Sequence, residues 1–438
     1  MAIALYNGFP LVEADTGAYI EQATHPHFTA DRSPFYGLFV RLSSMRISLW
    51  GTILVQCGVL AWLVLRYILF LGRRGGNDVS SVLLSVTAVI SFTAVSWVGS
   101  TLMPDVFTAI MFLAGFLLLA DRQAHKGVAM VYGAVVLVAV LMHNSNFLIL
   151  FLFAGSLMAW AARRKKKILV RRCAALIAIC GMGWGMVCSM NMVKKHGFTF
   201  SRGSDIFMMS RLLQNGVLGE YLSETCKSRN YELCQYKDDL PDNANEFLTS
   251  PKSPLYLSGG WDAPHPEYRV ILKDVFTTPK YLGIFVQRSV VGTMRQAMQV
   301  PAPELRVMDK ETDTWRKINS CFADETGEFM TAYQNTDALS ADPCNLVYYI
   351  FLVCSTLWLI VHYRRVMTTD VVFVYGCALL FLVINAFVTA TFGSVYARYQ
   401  GRVAWLLPAT SALVIINYYL SRQAKQDIAK GSIDSHEE

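Results

Sequence analysis

The chain has 438 residues, of which 54% are hydrophobic and 16% are charged, and its mean hydropathy is +0.36. A soluble protein of this length would carry more charged surface, so the composition excludes that class and predicts a protein of the lipid bilayer. The formal net charge of +7 does not indicate nucleic acid as a partner, because a basic run beside anionic lipid headgroups explains it.

The chain opens with an apolar stretch, residues 1–12, that is too short to cross a bilayer. About 12 residues at ~1.5 Å each cover only about 18 Å, and Gly8, Phe9 and Pro10 interrupt them. The stretch is typical of the end of a helix or of a short re-entrant piece. It lacks the basic segment of a signal peptide.

Nine later apolar runs predict membrane-spanning helices, because most of them approach the roughly 20 residues that cross a hydrocarbon layer of about 30 Å. Only helices or closed barrels satisfy the polar backbone groups there. The predicted spans are residues 47–71, 80–98, 103–120, 127–141, 145–161, 173–193, 346–361, 370–392 and 403–420. The expected fold class is an all-α polytopic membrane protein, a multi-helix transmembrane bundle with a mostly helical extracytoplasmic domain.

Charge asymmetry predicts the orientation of this bundle. Lysine and arginine gather in alternate connections and are missing from those at 99–102 and 143–144. The basic connections are residues 72–79, 121–126, 163–172 and 362–369. The positive-inside rule makes them cytoplasmic, which places residues 13–46 and 194–344 outside the cytoplasm.

The predicted organisation has four parts. An N-terminal bundle with an acidic first external loop is followed by an extracytoplasmic domain, closing transmembrane helices, and a polar, disordered cytoplasmic tail. Their bounds are 1–193, 194–344, 345–420 and 421–438. Within the second part, residues 281–300 form a predicted amphipathic helix that either lies flat on the membrane or packs on its own domain.

Cysteine usage agrees with an oxidising compartment for the second part. Six of the ten cysteines lie in apolar runs, and Cys226, Cys234, Cys321 and Cys344 lie in residues 194–344. An even number there predicts two disulfides, most simply Cys226 with Cys234 and Cys321 with Cys344, whereas four unpaired thiols are the alternative. No cysteine or histidine spacing is typical of a metal site.

The first external loop is crowded with carboxylates. Glu13, Asp15, Glu21 and Asp31 lie there, and a carboxylate at the mouth of a helical bundle is a candidate general base. Ordinary solvated loop carboxylates explain the same residues. Asp15 ranks first because it directly follows the apolar stretch, and Arg32, beside Asp31, is a candidate salt-bridge partner.

Three further polar positions fall at predicted external helix ends. Asp105 follows a proline at a helix start, where an acid also complements the helix dipole. His143 lies in a polar turn, and it either serves only the turn or reaches a lipid phosphate. Arg398, Tyr399 and Arg402 share a short connection, where arginine either binds phosphate or snorkels beside headgroups.

Together these features resemble the GT-C class of integral-membrane glycosyltransferases, in particular its protein mannosyltransferase and aminoarabinose transferase branch. The resemblance covers the bundle and the closing helices but not residues 194–344, and it departs from many members at Thr16, where they have a second acid. The residues that carry it are Asp15 and Tyr19, then Asp31, Arg32 and Pro34, then Pro104 and Asp105, and finally Arg398 and Tyr399.

The resemblance implies a donor, a membrane and a set of roles. The donor would be a polyprenyl-phosphate-linked sugar, the acceptor is open, and transfer would occur outside the cytoplasm at a bacterial inner membrane, with a divalent cation left open. Asp15 would be the base or the carboxylate that orients the acceptor, Asp31 a second catalytic candidate, and Arg398 the group that neutralises the leaving phosphate. The remaining substrate-binding candidates are Glu13, Tyr19, Arg32, Asp105, His143, Tyr399 and Arg402.

Two other classes of function compete with this one. A transporter or flippase for a lipid-linked or amphiphilic solute would show inverted repeats and polar residues at mid-membrane, whereas the polar groups here gather at predicted external helix ends. A non-catalytic assembly protein would use residues 194–344 to bind partners. The pattern favours surface chemistry.

Overall fold

The computed structural model describes residues 1–25, 29, 31–73, 78–195, 197–263, 265–302 and 304–434, so the end of the predicted tail, 435–438, lies outside the described residues. Within these ranges the chain is helical and forms no β-strand; Leu11 and Thr101 make an isolated parallel bridge. An all-helical fold is therefore confirmed.

Six described helices are long and apolar enough to cross a membrane. They are Leu49–Gly72, Asn144–Arg163, Lys167–Val193, Asp342–Val361, Thr369–Phe392 and Ala397–Gln423. The last of these comprises helix Ala397–Ala404 and the first part of helix Leu406–Asp434. Three shorter apolar helices, Val79–Phe92, Val106–Ala120 and Lys126–Met142, occupy the positions of three more predicted spans.

The predicted span 80–98 is wrong in its extent. Its helix ends at Phe92, and a separate helix, Val95–Ser100, follows. Thr93 makes the break, because its hydroxyl donates to the Val89 carbonyl at 2.6 Å and accepts from the Val95 N–H at 3.3 Å. A threonine side chain that bonds nearby backbone groups competes with continued helix.

Helix Val106–Ala120 forms the centre of the bundle, with nearly all its side chains buried. Phe112 packs against Phe381 at 4.8 Å and Phe153 at 6.1 Å between ring centroids. Asp105, directly before the first turn of this helix, is buried as well.

Residues 1–48 cover one end of this bundle with three short helices, Ala2–Asn7, Thr16–Thr24 and Pro34–Ser44. Residues 1–12 do not cross it. The Leu11 N–H donates to the Ser100 carbonyl at 3.0 Å, and the Leu102 N–H donates to the Leu11 carbonyl at 2.8 Å. These bonds bring the acidic loop beside the start of the central helix.

Residues 194–341 divide between two apolar cores. Residues 206–285 form their own, whereas 302–341 join the core of the bundle. The α-helices are Ser204–Gln214, Val217–Thr225, Ala244–Thr249, Pro254–Leu257, Pro266–Thr277, Pro279–Ala297, Asp313–Cys321 and Thr326–Thr331, with 3-10 turns at Glu232–Tyr236 and Ala323–Glu325.

The closing helices differ from the prediction in two places. Residues 398–402 lie in helix Ala397–Ala404 rather than in a loop, and helix Leu406–Asp434 includes residues 421–434 of the segment predicted to be disordered. The arginine, glutamine, alanine and lysine residues of that segment are good helix formers, which explains the continuation. A short helix, Tyr363–Val366, precedes helix Thr369–Phe392.

One of the two predicted disulfides is present. The sulfurs of Cys226 and Cys234 lie 1.97 Å apart. Cys321 and Cys344 are free thiols, so the second pairing is wrong. Cys321 instead faces helix Thr16–Thr24, with its sulfur 3.2 Å from the Thr24 hydroxyl.

Candidate functional site

Hydrogen bonds to its backbone hold the acidic loop in place. The Glu13 N–H donates to the Thr16 hydroxyl at 2.9 Å. The Thr314 hydroxyl donates to the Glu13 carbonyl at 2.9 Å and accepts from the Gly17 N–H at 3.1 Å. A Cβ at Gly17 would lie 2.8 Å from Cα of Thr314, so only glycine permits this contact.

Asp15 lies between two arginines. Nη2 of Arg398 donates to Oδ2 of Asp15 at 2.9 Å, and Nη2 of Arg32 lies 3.7 Å from Oδ1. Burial would raise the pKa of Asp15, but the two guanidinium groups outweigh burial and hold the pKa below its ordinary value. The carboxylate is therefore ionised while 41% of the side chain stays exposed.

A buried polar network holds Asp105 at the start of the central helix. Arg402, whose side chain is fully buried, donates to Oδ1 of Asp105 at 3.3 Å. The same guanidinium donates to Asn385 Oδ1 at 2.9 and 3.2 Å and to the Ser145 hydroxyl at 3.2 Å. The Asp105 side chain makes no capping bond to its own helix. Arg402 thus makes four hydrogen bonds within the protein and positions Asp105.

Arg398 joins this network to the acidic loop. Its Nε lies 3.6 Å from Oδ2 of Asp105, an ion-pair distance too long for a hydrogen bond. Its Nη1 lies 4.0 Å from the carboxylate of Glu13. Glu13 and Asp15 of the acidic loop and the distant Asp105 therefore lie around one guanidinium.

Glu13 differs from Asp15 in its protonation. Burial of its side chain, followed by the negative charges of Asp105 and Asp15, raises the pKa of Glu13 to about 7 against the opposing effect of Arg398. The two neighbouring carboxylates of one loop are therefore in different states near neutral pH.

Two pockets are lined by the arginines that pair with Asp15. The residues that line the first are Glu13, Trp97, Val98, Thr101, Met103, Asp105, Pro301, Arg398, Gly401 and Arg402. Three of its buried polar atoms have no hydrogen-bond partner in the described structure: Nε1 of Trp97, Oδ2 of Asp105 and Nε of Arg398. Such atoms are available to a bound molecule.

The second pocket contains Arg32, the other arginine beside Asp15. Its lining residues are Thr29, Arg32, Ser33, Pro34, Phe35, Asn144, Val187, Met190, Asn191, Phe200, Ser201 and Arg202. Arg32 connects it to Asp15 and also donates to Asp31, at 2.7 Å from Nε and 2.5 Å from Nη2. Asp31 is thus one step further from Arg398 than Asp15 is.

The aromatic and histidine candidates support the charged groups. The ring of Tyr399 lies 5.3 Å from the Arg398 guanidinium and 5.5 Å from that of Arg402, and Tyr19 lies 5.3 Å from Arg32. Cation–π contacts of this kind hold arginines in place.

His143 caps helix Asn144–Arg163, because its Nδ1 accepts from the Ser145 N–H at 3.2 Å. Burial, reinforced by Arg402, lowers the pKa of His143 to about 4, so its ring is neutral. The capping bond accounts for a histidine at position 143 without any ligand. The His143 ring packs edge-on against Tyr399, with 6.5 Å between ring centroids.

Sequence reasoning did not identify Trp97, Asn385 or Thr314. Asn385 is a polar residue within a long apolar run, a signal that marks functional positions in membrane helices and that was available. Trp97 and Thr314 gave no such signal, because an interfacial tryptophan and a helical threonine are common.

The carboxylates of this site are arranged about arginines. Among the described residues, no group of three or more His, Cys, Asp or Glu side chains is arranged to hold a metal ion. Comparison with protein-family models, with curated proteins and with solved structures finds no match to this chain.

Proposed function

We propose that the protein is a membrane glycosyltransferase that moves a sugar from a polyprenyl-phosphate donor to an acceptor on the non-cytoplasmic side of a bacterial inner membrane. One observation carries the proposal. The Asp15 carboxylate lies between Arg398, which lines one pocket, and Arg32, which lines the other. Two pockets whose arginines pair with the same carboxylate suit a reaction between two substrates.

In the proposed reaction, an acceptor hydroxyl oxygen bonds to the anomeric carbon as the bond from that carbon to the donor phosphate oxygen breaks. The phosphate leaves with the electron pair, and the acceptor proton moves to a carboxylate. Arg398 stabilises the leaving phosphate, because a guanidinium matches phosphate oxygens in a fork.

Asp15 and Glu13 have different roles in the proposed reaction. Asp15 has a lowered pKa and two cationic neighbours, so it is a weak base and orients the acceptor. Glu13, with a pKa of about 7, is better matched to accept a proton near neutral pH. Glu13 therefore becomes the general base and Asp15 the orienting group.

The test uses carboxylate-to-amide variants of the protein in native membranes. A panel of radiolabelled polyprenyl-phosphate sugars is supplied, and donor consumption is measured across a range of pH. We expect Asp15→Asn and Glu13→Gln each to lower the rate by roughly 10² to 10⁴. In the wild type the rate rises as the pH passes through about 7, and Glu13→Gln removes that rise.

Glu21→Gln is the matched control. Glu21 accepts from Nζ of Lys317 at 2.6 Å and pairs with neither Arg398 nor Arg32, so its variant should keep nearly the full rate. Near wild-type transfer by Asp15→Asn would show that the site assignment is wrong. If the wild type instead moves the labelled lipid across the bilayer without cleaving it, the protein is a transporter.

A further inference from the structure

Besides Arg402, a second arginine is buried in the protein, and no carboxylate of the described residues opposes its charge. Arg211, in helix Ser204–Gln214, is 2% exposed, and its Nε has no hydrogen-bond partner among the residues that the structure describes. Burial, with no opposing carboxylate, lowers the pKa of Arg211 to about 10. Its situation is the opposite of that of Arg402, which is equally buried but bonds three side chains.

A buried guanidinium without a hydrogen-bond acceptor raises the free energy of the folded protein. It carries five N–H donors and keeps its charge, so burying it without an acceptor is strongly unfavourable. Buried arginines are accordingly found with an anion beside them. The part of the chain that the structure describes supplies none for Arg211, which points to an anion from outside the chain.

Other buried polar atoms lie on the helix of Arg211, directly after it, or on the two helices that converge with it. Four of them have no partner in the described structure: Oε1 of Gln214, Nδ2 of Asn215, Oγ of Ser289 and Oγ1 of Thr391. Gln214 and Asn215 follow Arg211 by three and four positions, which puts them on the same side of the chain.

Gly292 makes room for the guanidinium. A Cβ at Gly292 would lie 2.9 Å from Nη2 of Arg211 and 3.7 Å from Cβ of Ala390 in helix Thr369–Phe392. Ser289 lies one turn before Gly292 on the same face, and Thr391 directly follows Ala390. The unpartnered atoms therefore come from elements that converge on Arg211.

The location of the cluster indicates the kind of anion. Helix Pro279–Ala297 packs one face along the end of helix Thr369–Phe392, a candidate membrane span. Its other face exposes an apolar stripe, whose residues are Leu282, Val286, Val290 and Met294, with 38 to 61% of each exposed. An exposed apolar stripe on a helix that packs against a candidate membrane span suits acyl chains, and phosphate groups are the abundant anions of lipid headgroups.

We propose that Arg211, with the Ser289 hydroxyl and the Asn215 amide as further donors, binds the phosphate group of a phospholipid or a free phosphate ion. The site is independent of Asp15 and of glycosyl transfer. A phosphate oxyanion would accept from the fork of the guanidinium and from the neutral donors beside it.

Two measurements on the purified full-length protein in detergent distinguish the two sources. Native mass spectrometry detects phospholipid that stays bound, and thermal unfolding is followed as inorganic phosphate replaces chloride at constant ionic strength. A retained phospholipid in the wild type identifies the lipid as the ligand. A phosphate-dependent rise of Tm without retained lipid identifies free phosphate.

Three variants give the comparison. Arg211→Met should lose both the lipid adduct and the phosphate effect, whereas Arg295→Gln, at an exposed arginine of helix Pro279–Ala297, should keep them. Gly292→Ala keeps the charge but displaces the flexible end of Arg211, and we expect at least a tenfold weaker phosphate effect. The proposal is overturned if the wild type shows neither bound lipid nor a phosphate effect, or if Arg211→Met retains them.

Discussion

The buried pair of Arg402 and Asp105 provides the sharpest test of the site's architecture. Arg402→Met keeps much of the side chain's volume but removes every donor to Asp105, Asn385 and Ser145. Breaking one side of a buried ion pair typically costs about 3 to 5 kcal/mol, since a charge is left uncompensated. Arg398 lies 3.6 Å from the other oxygen of Asp105 and offsets part of this, so we expect the lower end, about 3 kcal/mol.

The assay is equilibrium unfolding in mixed micelles, followed by tryptophan fluorescence. Arg316→Met is the control, because Arg316 is 58% exposed and its pair with Asp313 spans 3.7 Å, so its loss should be near zero. The double variant Arg402→Met with Asp105→Asn should lose less than the sum of the single losses, because Asn leaves no buried charge. Equal losses for Arg402→Met and Arg316→Met, or strictly additive losses in the double variant, would refute the reasoning.

Two further predictions concern the acidic loop. Gly17→Ala should destabilise the protein by roughly 1 to 3 kcal/mol and slow donor consumption, because the new methyl meets the backbone of the facing helix at 2.8 Å. Gly155→Ala, a helical position with nothing within 4 Å of the added methyl, should be neutral or stabilising in the same unfolding assay. For Glu13, the folded-state pKa of about 7 exceeds the ordinary 4.5, so folding favours the protonated form. Stability should fall by on the order of 3 kcal/mol as the pH rises from 4.5 past 7, and pH-dependent unfolding of Glu13→Gln should lack that fall.

The sequence could predict the helices but not all of their ends. Hydropathy located each apolar run because the bilayer demands length and apolarity from every crossing segment. It did not locate the break at Thr93, where one hydroxyl bonds the backbone on both sides. It also missed the helix through Arg398 and Arg402, because a run rich in charged and aromatic residues reads as a loop until its partners are known.

The sequence predicted which residues belong to the candidate site better than it predicted what each of them does. Charged groups at consecutive helix ends were visible as a set, since carboxylates and arginines are rare beside apolar runs. Their roles depend on contacts between distant positions. Arg402 could not be told from a phosphate-binding arginine until the structure showed its guanidinium enclosed by Asp105, Asn385 and Ser145.

Charge balance ties the proposed base to the proposed leaving group. Glu13, Asp15 and Asp105 face Arg398, and Arg306 also acts on Glu13, so ionisation of Glu13 adds one negative charge beside Arg398. Glu13 gains or loses its proton near neutral pH, because its pKa is about 7.

When Glu13 ionises, the cluster gains a negative charge that repels a phosphate. When Glu13 then accepts the acceptor's proton, it loses its negative charge as negative charge develops on the leaving phosphate oxygen. In a desolvated site such a match between proton uptake and charge development lowers the barrier, because Arg398 is freed from one of its carboxylates at the moment that the phosphate needs it. The proposed mechanism thus requires Glu13 and Arg398 to act as a coupled pair rather than as two independent groups.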